Sequence, residues 1–314
     1  MNSHDTGVAK RGTFAFFEGR LIPLEEARVS VLTHCFLYGT GVFEGIRGYY
    51  NSDRQELYVF RMREHYQRFM SNCRFLKIEL KQSIEELCEL TLEIIRKGEL
   101  REDIYVRPLA YKSARRIGLR MGDESDLTIF AVPMGAYLSR ERPLSLAISS
   151  WRRVEDNAIP ARAKISGSYV NLALAAAEAQ EDGFDEAILL NEDGSVSEAA
   201  GMNIFLVRSG TLITPLVTDN VLEGITRDTV FEIATDLKIP YQERTIDRSE
   251  LVVADEAFLC GTGAEIAAVG SIDRHKVGGG QIGPITSRIQ ETYFQTVRGQ
   301  YSRNKKWLTP VWNI

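Results

Sequence analysis

A polar, proline-containing segment near the middle of the sequence, LSRERPLS at residues 138–145, constrains the fold more than any other feature. Strand-like and helical patterns lie on both sides of it, and a chain of 314 residues has enough apolar side chains for two domains. Segments of this kind are typical of domain boundaries. We therefore predict a first domain over 1–137, a linker over 138–146 and a second domain over 147–314.

The composition argues against nucleic-acid and membrane partners. Hydrophobic residues make up 44% of the chain and charged residues 26%, as in an ordinary globular protein, and the net charge is −5, whereas nucleic-acid binding requires a basic face. No apolar run is long enough to cross a bilayer, and the first residues, MNSHDTGVAKRGT, lack the apolar core of a signal sequence. We therefore expect a cytoplasmic protein.

The cysteines and histidines indicate neither a metal site nor a redox pair. The four cysteines are far apart and form no CxxC pair, and no two of the four histidines have the spacing of metal ligands. We therefore expect no metal cofactor. The residues concerned are Cys35, Cys73, Cys88, Cys260, His4, His34, His65 and His275.

Residues 36–50, FLYGTGVFEGIRGYY, mix aromatic side chains with glycines. This mixture predicts a bent strand whose aromatic rings pack against the core. The other patterns of the first half predict a hairpin at 13–22 around Glu18-Gly19, helices at 61–77 and 82–98, and strands at 103–111 and 126–134.

Two arginines of the first half lie beside apolar residues. Arg68 is at the edge of the apolar stripe of the helix predicted over 61–77. Its planar guanidinium there suits a phosphate, but an arginine that covers the core with its alkyl chain fits the pattern as well. Arg107 shares a strand face with Tyr105, so it needs an anionic partner if that face is inward. A carboxylate of the protein and one of a substrate both meet that need.

Lys164 lies in a stretch of small residues, AIPARAKISGSYVN at 158–171, with no acidic residue within five positions on either side. Small neighbours allow a flat ligand to approach the backbone, and a desolvated lysine in such a pocket becomes a Schiff-base nucleophile. A surface lysine in a loop after Pro160 fits the stretch as well, so both interpretations remain open at this point.

Three polar signals follow in the second half. Glu198 lies among small residues on an inward strand, where a pyridinium nitrogen or an arginine would stabilise it. Thr226 opens a predicted helix, where the free backbone amides and the threonine hydroxyl are suited to binding a phosphate. A simple N-cap role explains Thr226 as well. Gly261-Thr262-Gly263 follows an apolar strand, and its amides suit a second anion. The patterns of this half predict strands at 145–151, 186–190 and 196–207 and a strand followed by a helical or turn start within 257–266. They predict helices at 169–181, from Thr226 onward within 222–239, and over most of 281–300.

Eight motifs, taken together, resemble the fold-type IV pyridoxal-phosphate enzymes, and within them the branched-chain amino-acid aminotransferases. The resemblance runs from about residue 13 to residue 300 and rests on YGTGVFEGIR at 38–47, REHYQRF at 63–69, YVRPL at 105–109, MGAYL at 134–138, IPARAKISGSYVN at 159–171, SEAAGMNIF at 197–205, LEGITRD at 222–228 and CGTGAEI at 260–266. It implies a two-domain α+β fold of the α/β class, with a small N-terminal α/β domain and a larger C-terminal domain that has a barrel-like sheet. It also implies pyridoxal 5'-phosphate as cofactor, bound between the domains, and a homodimer or higher homo-oligomer.

The resemblance assigns roles residue by residue. Lys164 matches the lysine that forms the internal aldimine, and the acid that keeps the pyridine nitrogen protonated matches Glu198. Tyr169 matches the tyrosine that hydrogen-bonds the phenolic oxygen. The remaining cofactor residues match Arg68, Ile225, Thr226 and Thr262 at the phosphate and Leu222 under the ring. The substrate pocket matches Tyr38, Phe43, Tyr105, Arg107 and Tyr137, with Thr262 and Gly263 at the substrate carboxylate.

The implied reaction is ping-pong transamination of L-leucine, L-isoleucine and L-valine with 2-oxoglutarate, in branched-chain amino-acid biosynthesis. Two departures keep alternatives open: Met134 stands where many relatives carry tryptophan, and the loop at 112–122 is unusually basic. An aminotransferase of the same fold for D-amino acids or (R)-amines is one alternative, and an aminodeoxychorismate lyase is another. A phosphate-binding module without catalysis is a third. The Tyr105-x-Arg107 pair favours an L-amino-acid enzyme.

Overall fold

The computed structural model describes residues 12–136, 138, 142–301 and 305–312. The chain forms two units. The first takes the described residues within Met1–Tyr137, Ala163–Gly167 and Gln295–Ile314, and the second takes those within Leu138–Arg162 and Ser168–Phe294. The sequence predicts that 163–167 and the C-terminal segment belong to the second domain, whereas in the structure both belong to the first unit. The two units are consequently of similar length.

Strands and helices of the described residues are numbered in chain order. The strands are Phe14–Phe17 (β1), Arg20–Pro23 (β2), Gly41–Phe43 (β3), Ile46–Asn51 (β4), Glu56–Phe60 (β5), Ile104–Lys112 (β6), Ser125–Pro133 (β7), Leu144–Arg152 (β8), Glu186–Leu190 (β9), Val196–Ala199 (β10), Asn203–Arg208 (β11), Thr211–Thr214 (β12), Tyr241–Glu243 (β13), Glu256–Gly261 (β14), Glu265–Ile272 (β15), His275–Lys276 (β16) and Leu308–Pro310 (β17). The α-helices are His34–Tyr38 (α1), Met62–Cys73 (α2), Ile84–Lys97 (α3), Tyr169–Glu181 (α4), Ile225–Asp236 (α5) and Pro284–Val297 (α6).

The first unit is built on an eight-stranded sheet with the order β17-β5-β4-β6-β7-β1-β2, and β3 also pairs with β6. All its described strand pairs are antiparallel. The predicted hairpin is confirmed. Its turn residues Glu18 and Gly19 have φ values of 47° and 76°, the positive angles that match the twist of two hairpin strands. Because β17 pairs with β5, the C-terminal segment belongs to this unit.

Both helices predicted for the first half are confirmed. α2 buries Tyr66, Phe69 and Cys73 on one face. α3 begins at a capping box, in which the Ser83 side chain accepts from the Glu86 amide and the Glu86 carboxylate accepts from the Ser83 amide. The apolar periodicity is a local signal, which is why both helices are predicted from the sequence.

The bent strand predicted over 36–50 is only partly correct. Its first residues form the short helix α1, and β3 and β4 follow it. Distant contacts stabilise α1, because the His34 amide donates to the Ala114 carbonyl (2.9 Å). Gly39, at φ 68°, ends the helix, with its amide donating to the Cys35 carbonyl. The apolar pattern of these residues does not distinguish a five-residue helix from a strand.

Residues 163–167 join the first unit through the backbone around β3. The Phe43 amide donates to the Lys164 carbonyl (3.0 Å), and the Gly167 amide donates to the Gly39 carbonyl (3.1 Å). A Cβ atom at Gly39 would lie 2.7 Å from the Gly167 Cα, so the two segments approach more closely than any side chain allows. This glycine contact fixes the position of the backbone that follows Lys164.

The second unit is built on a nine-stranded mixed sheet with the order β10-β9-β8-β15-β14-β11-β12-β13, and β16 pairs with β15. Strand β9 has apolar residues on both faces: Ala187 and Leu189 lie in the core beside α4, and Ile188 and Leu190 lie in the core of the opposite face. The helix predicted at 169–181 and the strand predicted at 186–190 are confirmed. The segment within 257–266 is a strand and a turn that leads into β15, not into a helix.

Metal clusters and membrane-crossing helices are absent from the part of the chain that the structure describes. None of its helices is both long and apolar enough to cross a membrane. Among the same residues, no group of three or more histidine, cysteine or acidic side chains is arranged to hold a metal ion. All four cysteines are described, and each is a free thiol.

Candidate active site

Lys164 lies half-buried beside strand β3, with its Nζ atom 5.0 Å from the centre of the Phe43 ring. Loss of water around the amine lowers the pKa of Lys164 to about 8, although the Glu44 carboxylate opposes this change. A lysine with this pKa is neutral in about a tenth of the molecules at pH 7, far more than a lysine with its ordinary pKa. Lys164 is therefore suited to act as a nucleophile or a base.

A buried carboxylate, Glu44, connects the residues around Lys164. Its Oε1 accepts from Arg68 Nε (2.7 Å), and its Oε2 accepts from Arg68 Nη2 (2.9 Å) and lies 2.8 Å from His65 Nδ1. Burial alone would raise the pKa of Glu44, but the positive charge of Arg68 and the bond to His65 together bring it well below its ordinary value. Glu44 is therefore ionised, and His65 Nδ1 is the donor to it.

Arg107 lies between aromatic rings. Its guanidinium carbon is 4.4 Å from the centre of the Phe43 ring and 5.1 Å from that of Tyr105, and Nη2 donates to the Tyr105 hydroxyl (3.0 Å). Gly45 makes room for this arrangement, because a Cβ there would lie 1.9 Å from the Tyr105 hydroxyl. No carboxylate of the described residues pairs with Arg107, so the anionic partner expected from the sequence is not a described side chain.

Four of the five side chains predicted to form the substrate pocket are described, and all four belong to the first unit. Phe43 and Tyr105 both contact Arg107. The Tyr38 hydroxyl accepts from the Gly118 amide (3.0 Å), in the loop at 112–122. Tyr137 lies outside the described residues.

In the second unit, Glu198 is buried near the end of β10, and its partners include one arginine and two nitrogen donors. Its Oε1 lies 3.1 Å from Arg153 Nη2, and its Oε2 accepts from Asn203 Nδ2 (3.0 Å) and from the Leu222 amide (3.2 Å). The cation and the donors that the sequence analysis required for this acid are thus present. Arg153 Nε also donates to the Asn220 carbonyl (3.1 Å), which fixes its guanidinium.

The Asn203 amide links Glu198 to the start of helix α5, since its Nδ2 also donates to the Leu222 carbonyl (3.0 Å). The N-cap of α5 is Gly224, in an extended conformation and with no side-chain cap. Thr226 is therefore the buried second residue of the helix, and the alternative that it merely caps the helix is wrong. Ile225 and Thr226 present the first amides of α5, at the positive end of the helix dipole.

Tyr169 and the Thr262 turn complete the predicted residues of the second unit. Tyr169 is the first residue of α4, and a Cβ at Gly201 would lie 4.0 Å from its ring, so the ring lies next to the turn that follows Glu198. Thr262 and Gly263 are partly exposed in the turn between β14 and β15, where Gly261 pairs with Glu265. Backbone amides and a hydroxyl in such a turn are suited to binding an anion.

Sequence reasoning missed four residues that hold the predicted ones in place: Glu44, His65, Arg153 and Asn203. Only one of them left a usable signal. His65 precedes Arg68 by three positions, so the two share a helix face. The side-chain partners of Glu44 and Arg153 lie at least 21 positions away in the sequence, beyond any local pattern.

The fold and these residues define an aminotransferase of class IV. The model of the amino-transferase class IV family matches residues 41–272, which is more than half of the chain. The chain therefore belongs to this family, which confirms the resemblance inferred from the sequence.

Its relatives with similar sequences and structures are branched-chain aminotransferases. The chain is 49% identical to a "probable branched-chain-amino-acid aminotransferase" of Aquifex aeolicus over 96% of this chain and 97% of that protein. It superposes on a branched-chain aminotransferase of Thermoproteus uzoniensis, crystallised with norvaline, with a TM-score of 0.92 and 44% identity, covering 96% and 99% of the two chains. It also superposes on the T.th. branched-chain amino acid aminotransferase complexed with N-(5'-phosphopyridoxyl)-L-glutamate. The TM-score is 0.91 and the sequence identity 39%, with 96% of this chain and 99% of that chain covered.

Proposed function

We propose that this chain transfers amino groups between L-leucine, L-isoleucine or L-valine and 2-oxoglutarate, by a ping-pong mechanism with pyridoxal 5'-phosphate as cofactor. The observation that carries the proposal is the Lys164 amine, with its pKa lowered to about 8, in a chain of the class IV aminotransferase family. The ligands of two relatives support both substrate classes. One is norvaline, an aliphatic amino acid, and the other joins glutamate to a phosphopyridoxyl group.

The residues present fit this cofactor in their chemistry. When bound, pyridoxal 5'-phosphate supplies a carbonyl that condenses with amines and a ring that stabilises negative charge on the substrate α-carbon. Lys164 provides the amine for the carbonyl, and Glu198, held by Arg153 and Asn203, provides a fixed carboxylate for the pyridine nitrogen. Tyr169 would bind the phenolic oxygen, and Leu222 would pack against the ring. The phosphate would be held by Arg68, Ile225, Thr226 and Thr262.

Lys164 also moves the proton in this proposal. Its Nζ would take the proton from the substrate α-carbon and deliver it to the former carbonyl carbon of the bound cofactor, and in the second half-reaction it would move a proton in the opposite direction. The lowered pKa makes the amine a base at neutral pH, and the Phe43 ring limits its freedom to move. The negative charge of Glu44 raises the pKa of the amine and the positive charge of Arg68 lowers it, so the two charges act in opposite directions.

The aromatic group around Arg107 explains how one pocket would take both an aliphatic side chain and a carboxylate. Phe43 and Tyr105 offer apolar surface to leucine, isoleucine or valine. Arg107 offers its guanidinium to the second carboxylate of glutamate or 2-oxoglutarate, and the Tyr105 hydroxyl holds it when that carboxylate is absent. Tyr38 and Tyr137 would close the pocket. Thr262 and Gly263 would bind the carboxylate that all these substrates share.

The test is a set of half-reactions followed by the visible absorbance of the cofactor-loaded protein. The protein is mixed separately with L-leucine, L-glutamate, D-alanine and (R)-1-phenylethylamine. We expect a spectral change with the first two only, and Lys164→Ala should lose at least about 1,000-fold in turnover, since proton transfer and the covalent link both depend on this amine. A comparable change with D-alanine or the amine would contradict the substrate assignment. Retained turnover in Lys164→Ala would contradict the role of the lysine.

A further inference from the structure

Glu44 is completely buried, and donors surround its carboxylate. Two nitrogens of Arg68 and Nδ1 of His65 lie within 2.7–2.9 Å of it, and the Gly45 amide donates to Oε2 at 3.3 Å. A buried carboxylate is strongly destabilising unless charged donors of this kind offset the loss of water. The full set of partners means that Glu44 has one fixed orientation.

The pair between Glu44 and Arg68 determines the orientation of the arginine. Because Nε and Nη2 both donate to the same carboxylate, the plane of the guanidinium and the direction of its third nitrogen are fixed. The Arg68 side chain is only 13% exposed, so its orientation is set inside the protein and not by solvent. An arginine fixed before it meets a phosphate loses less conformational freedom on binding.

His65 fixes Glu44 in turn. It lies three residues before Arg68 on the same face of α2 and is buried. Burial lowers the pKa of His65, although the Glu44 carboxylate opposes this, so the ring is neutral and carries its proton on Nδ1, where Glu44 accepts it. The neutral ring adds a directed donor without adding a second positive charge next to Arg68.

We propose that Glu44 and His65 are positioning residues for phosphate recognition: Glu44 fixes the guanidinium of Arg68, and His65 fixes Glu44. This inference rests on the proposed role of Arg68 as a ligand of the cofactor phosphate. The positioning role and the charge of Glu44 predict opposite effects on phosphate binding. Glu44 is an anion, so if its charge dominated, its removal would strengthen phosphate binding; if its positioning role dominates, removal weakens it.

The test compares two probes, pyridoxal 5'-phosphate and pyridoxal, which differ only in the phosphate. Each is titrated into the full-length chain freed of cofactor, and the ratio of the two dissociation constants measures how much the phosphate contributes. We expect Glu44→Gln to reduce this phosphate preference about 10-fold or more. Pyridoxal itself should bind as well as before or slightly better. The lost negative charge lowers the pKa of Lys164 further, so more of the amine is neutral at a given pH.

Matched variants separate positioning from general damage. Glu64→Gln breaks another arginine–carboxylate pair on the same helix, that with Arg61 Nε at 3.1 Å, and should leave the phosphate preference unchanged. His65→Ala should reduce the preference several-fold, and His65→Asn should restore it, because an asparagine amide can replace the Nδ1 donor. If Glu44→Gln does not fold, the two histidine variants still decide the question.

The outcomes also separate this inference from the role of Arg68. Arg68→Ala should abolish most of the phosphate preference. If it does not, the proposed phosphate ligand is wrong. If Arg68→Ala abolishes the preference while Glu44→Gln and His65→Ala retain it or raise it, only the positioning role is overturned. Equal weakening of both probes in Glu44→Gln would show a structural role alone and would overturn it as well.

Discussion

Arg107 illustrates how a single residue can serve two substrates, because its partners in the structure are neutral. It stacks near Phe43 and Tyr105 and donates to the Tyr105 hydroxyl, so it is held without a protein carboxylate among the described residues. A cation in this setting gains most from an anionic ligand.

We expect Arg107→Ala to lower kcat/KM for 2-oxoglutarate by about 100-fold, the effect of losing a hydrogen bond between charged groups. The loss with 4-methyl-2-oxopentanoate should be less than about 10-fold, since this substrate has no second carboxylate and loses only packing. Steady-state kinetics with each oxo acid measures both values. Tyr105→Phe keeps the ring and removes the hydroxyl, so it should fall between the wild type and Arg107→Ala. Equal losses with the two oxo acids would show that Arg107 does not bind the second carboxylate.

Single residues also mark the limit of prediction from sequence. The need of Glu198 for a cation and a donor followed from its small neighbours, and Arg153 and Asn203 meet it. Glu44 gives no such signal, because it follows Phe43 in a short apolar run and its side-chain partners, His65 and Arg68, lie on helix α2. A buried charge can be suspected from its neighbours, but its partner is found only when the fold is known.

At the scale of elements, the contact between Gly39 and Gly167 places the backbone that carries Lys164. Gly39→Ala adds a Cβ 2.7 Å from the Gly167 Cα, at a φ of 68°. We expect a loss of about 2–4 kcal/mol in the free energy of unfolding, from backbone strain and overpacking together. The visible absorbance of the bound cofactor should weaken too. Denaturant unfolding and a cofactor titration measure the two effects.

Gly19→Ala is the control for backbone strain alone. Its φ of 76° is similar, but nothing lies within 4 Å of the added Cβ. It should lose only about 1 kcal/mol and bind the cofactor normally. If Gly39→Ala behaved in the same way, the close approach to Gly167 would have no role in placing Lys164.

Strand β9 carries a buried acid with a testable effect on pH stability. Burial raises the pKa of Glu186 to about 7, and its described partner is the Ala187 amide at 2.8 Å. Because the folded pKa is above the unfolded one, Glu186 favours the folded state at low pH and loses this advantage as the pH rises through about 7.

We therefore expect the wild type to lose about 2 kcal/mol of unfolding free energy between roughly pH 5.5 and 8.5 through this residue. Glu186→Gln should not show this loss. Denaturant unfolding at several pH values measures the difference, and Glu181→Gln, an exposed position on α4, is the control. If the unfolding free energies of the wild type and Glu186→Gln changed in parallel with pH, burial would not raise the pKa of Glu186 in the folded state.

Elements with local signals were predictable, and those made by distant contacts were not. The hairpin at Glu18-Gly19 and the capped helix α3 were located from their own residues. The helix α1 was missed, since the Ala114 carbonyl and the backbone turn at Gly39 stabilise it. The place of the Lys164 segment in the first unit was missed for the same reason, because its partners lie more than 100 residues earlier in the sequence.

At the scale of the whole molecule, an exposed apolar surface of the first unit requires an explanation. It comprises residues 29–37 and the loop 117–121, and Val31, Phe36, Ile117 and Leu119 are 66–81% exposed. The two segments form one surface, since His34 Nε2 lies 3.1 Å from the Gly118 carbonyl and the Tyr38 hydroxyl accepts from the Gly118 amide. Contiguous apolar surface of this kind marks an interaction site.

We propose that this surface contacts a second copy of the chain in the homodimer or higher homo-oligomer that the family resemblance implies. We expect Phe36→Asp to weaken this self-association by about 100-fold or more, because the charge would be buried among apolar side chains of the second copy. Sedimentation or light scattering over a range of protein concentrations measures the effect. Phe75→Asp is the matched control, since Phe75 is 45% exposed in the same unit but lies outside this surface. At each protein concentration, this variant should show the same assembly mass in solution as the wild type. A monomeric wild type, or a Phe36→Asp variant that dimerises as the wild type does, would contradict the assignment, and an equal effect of Phe75→Asp would show that the loss is not specific to this surface.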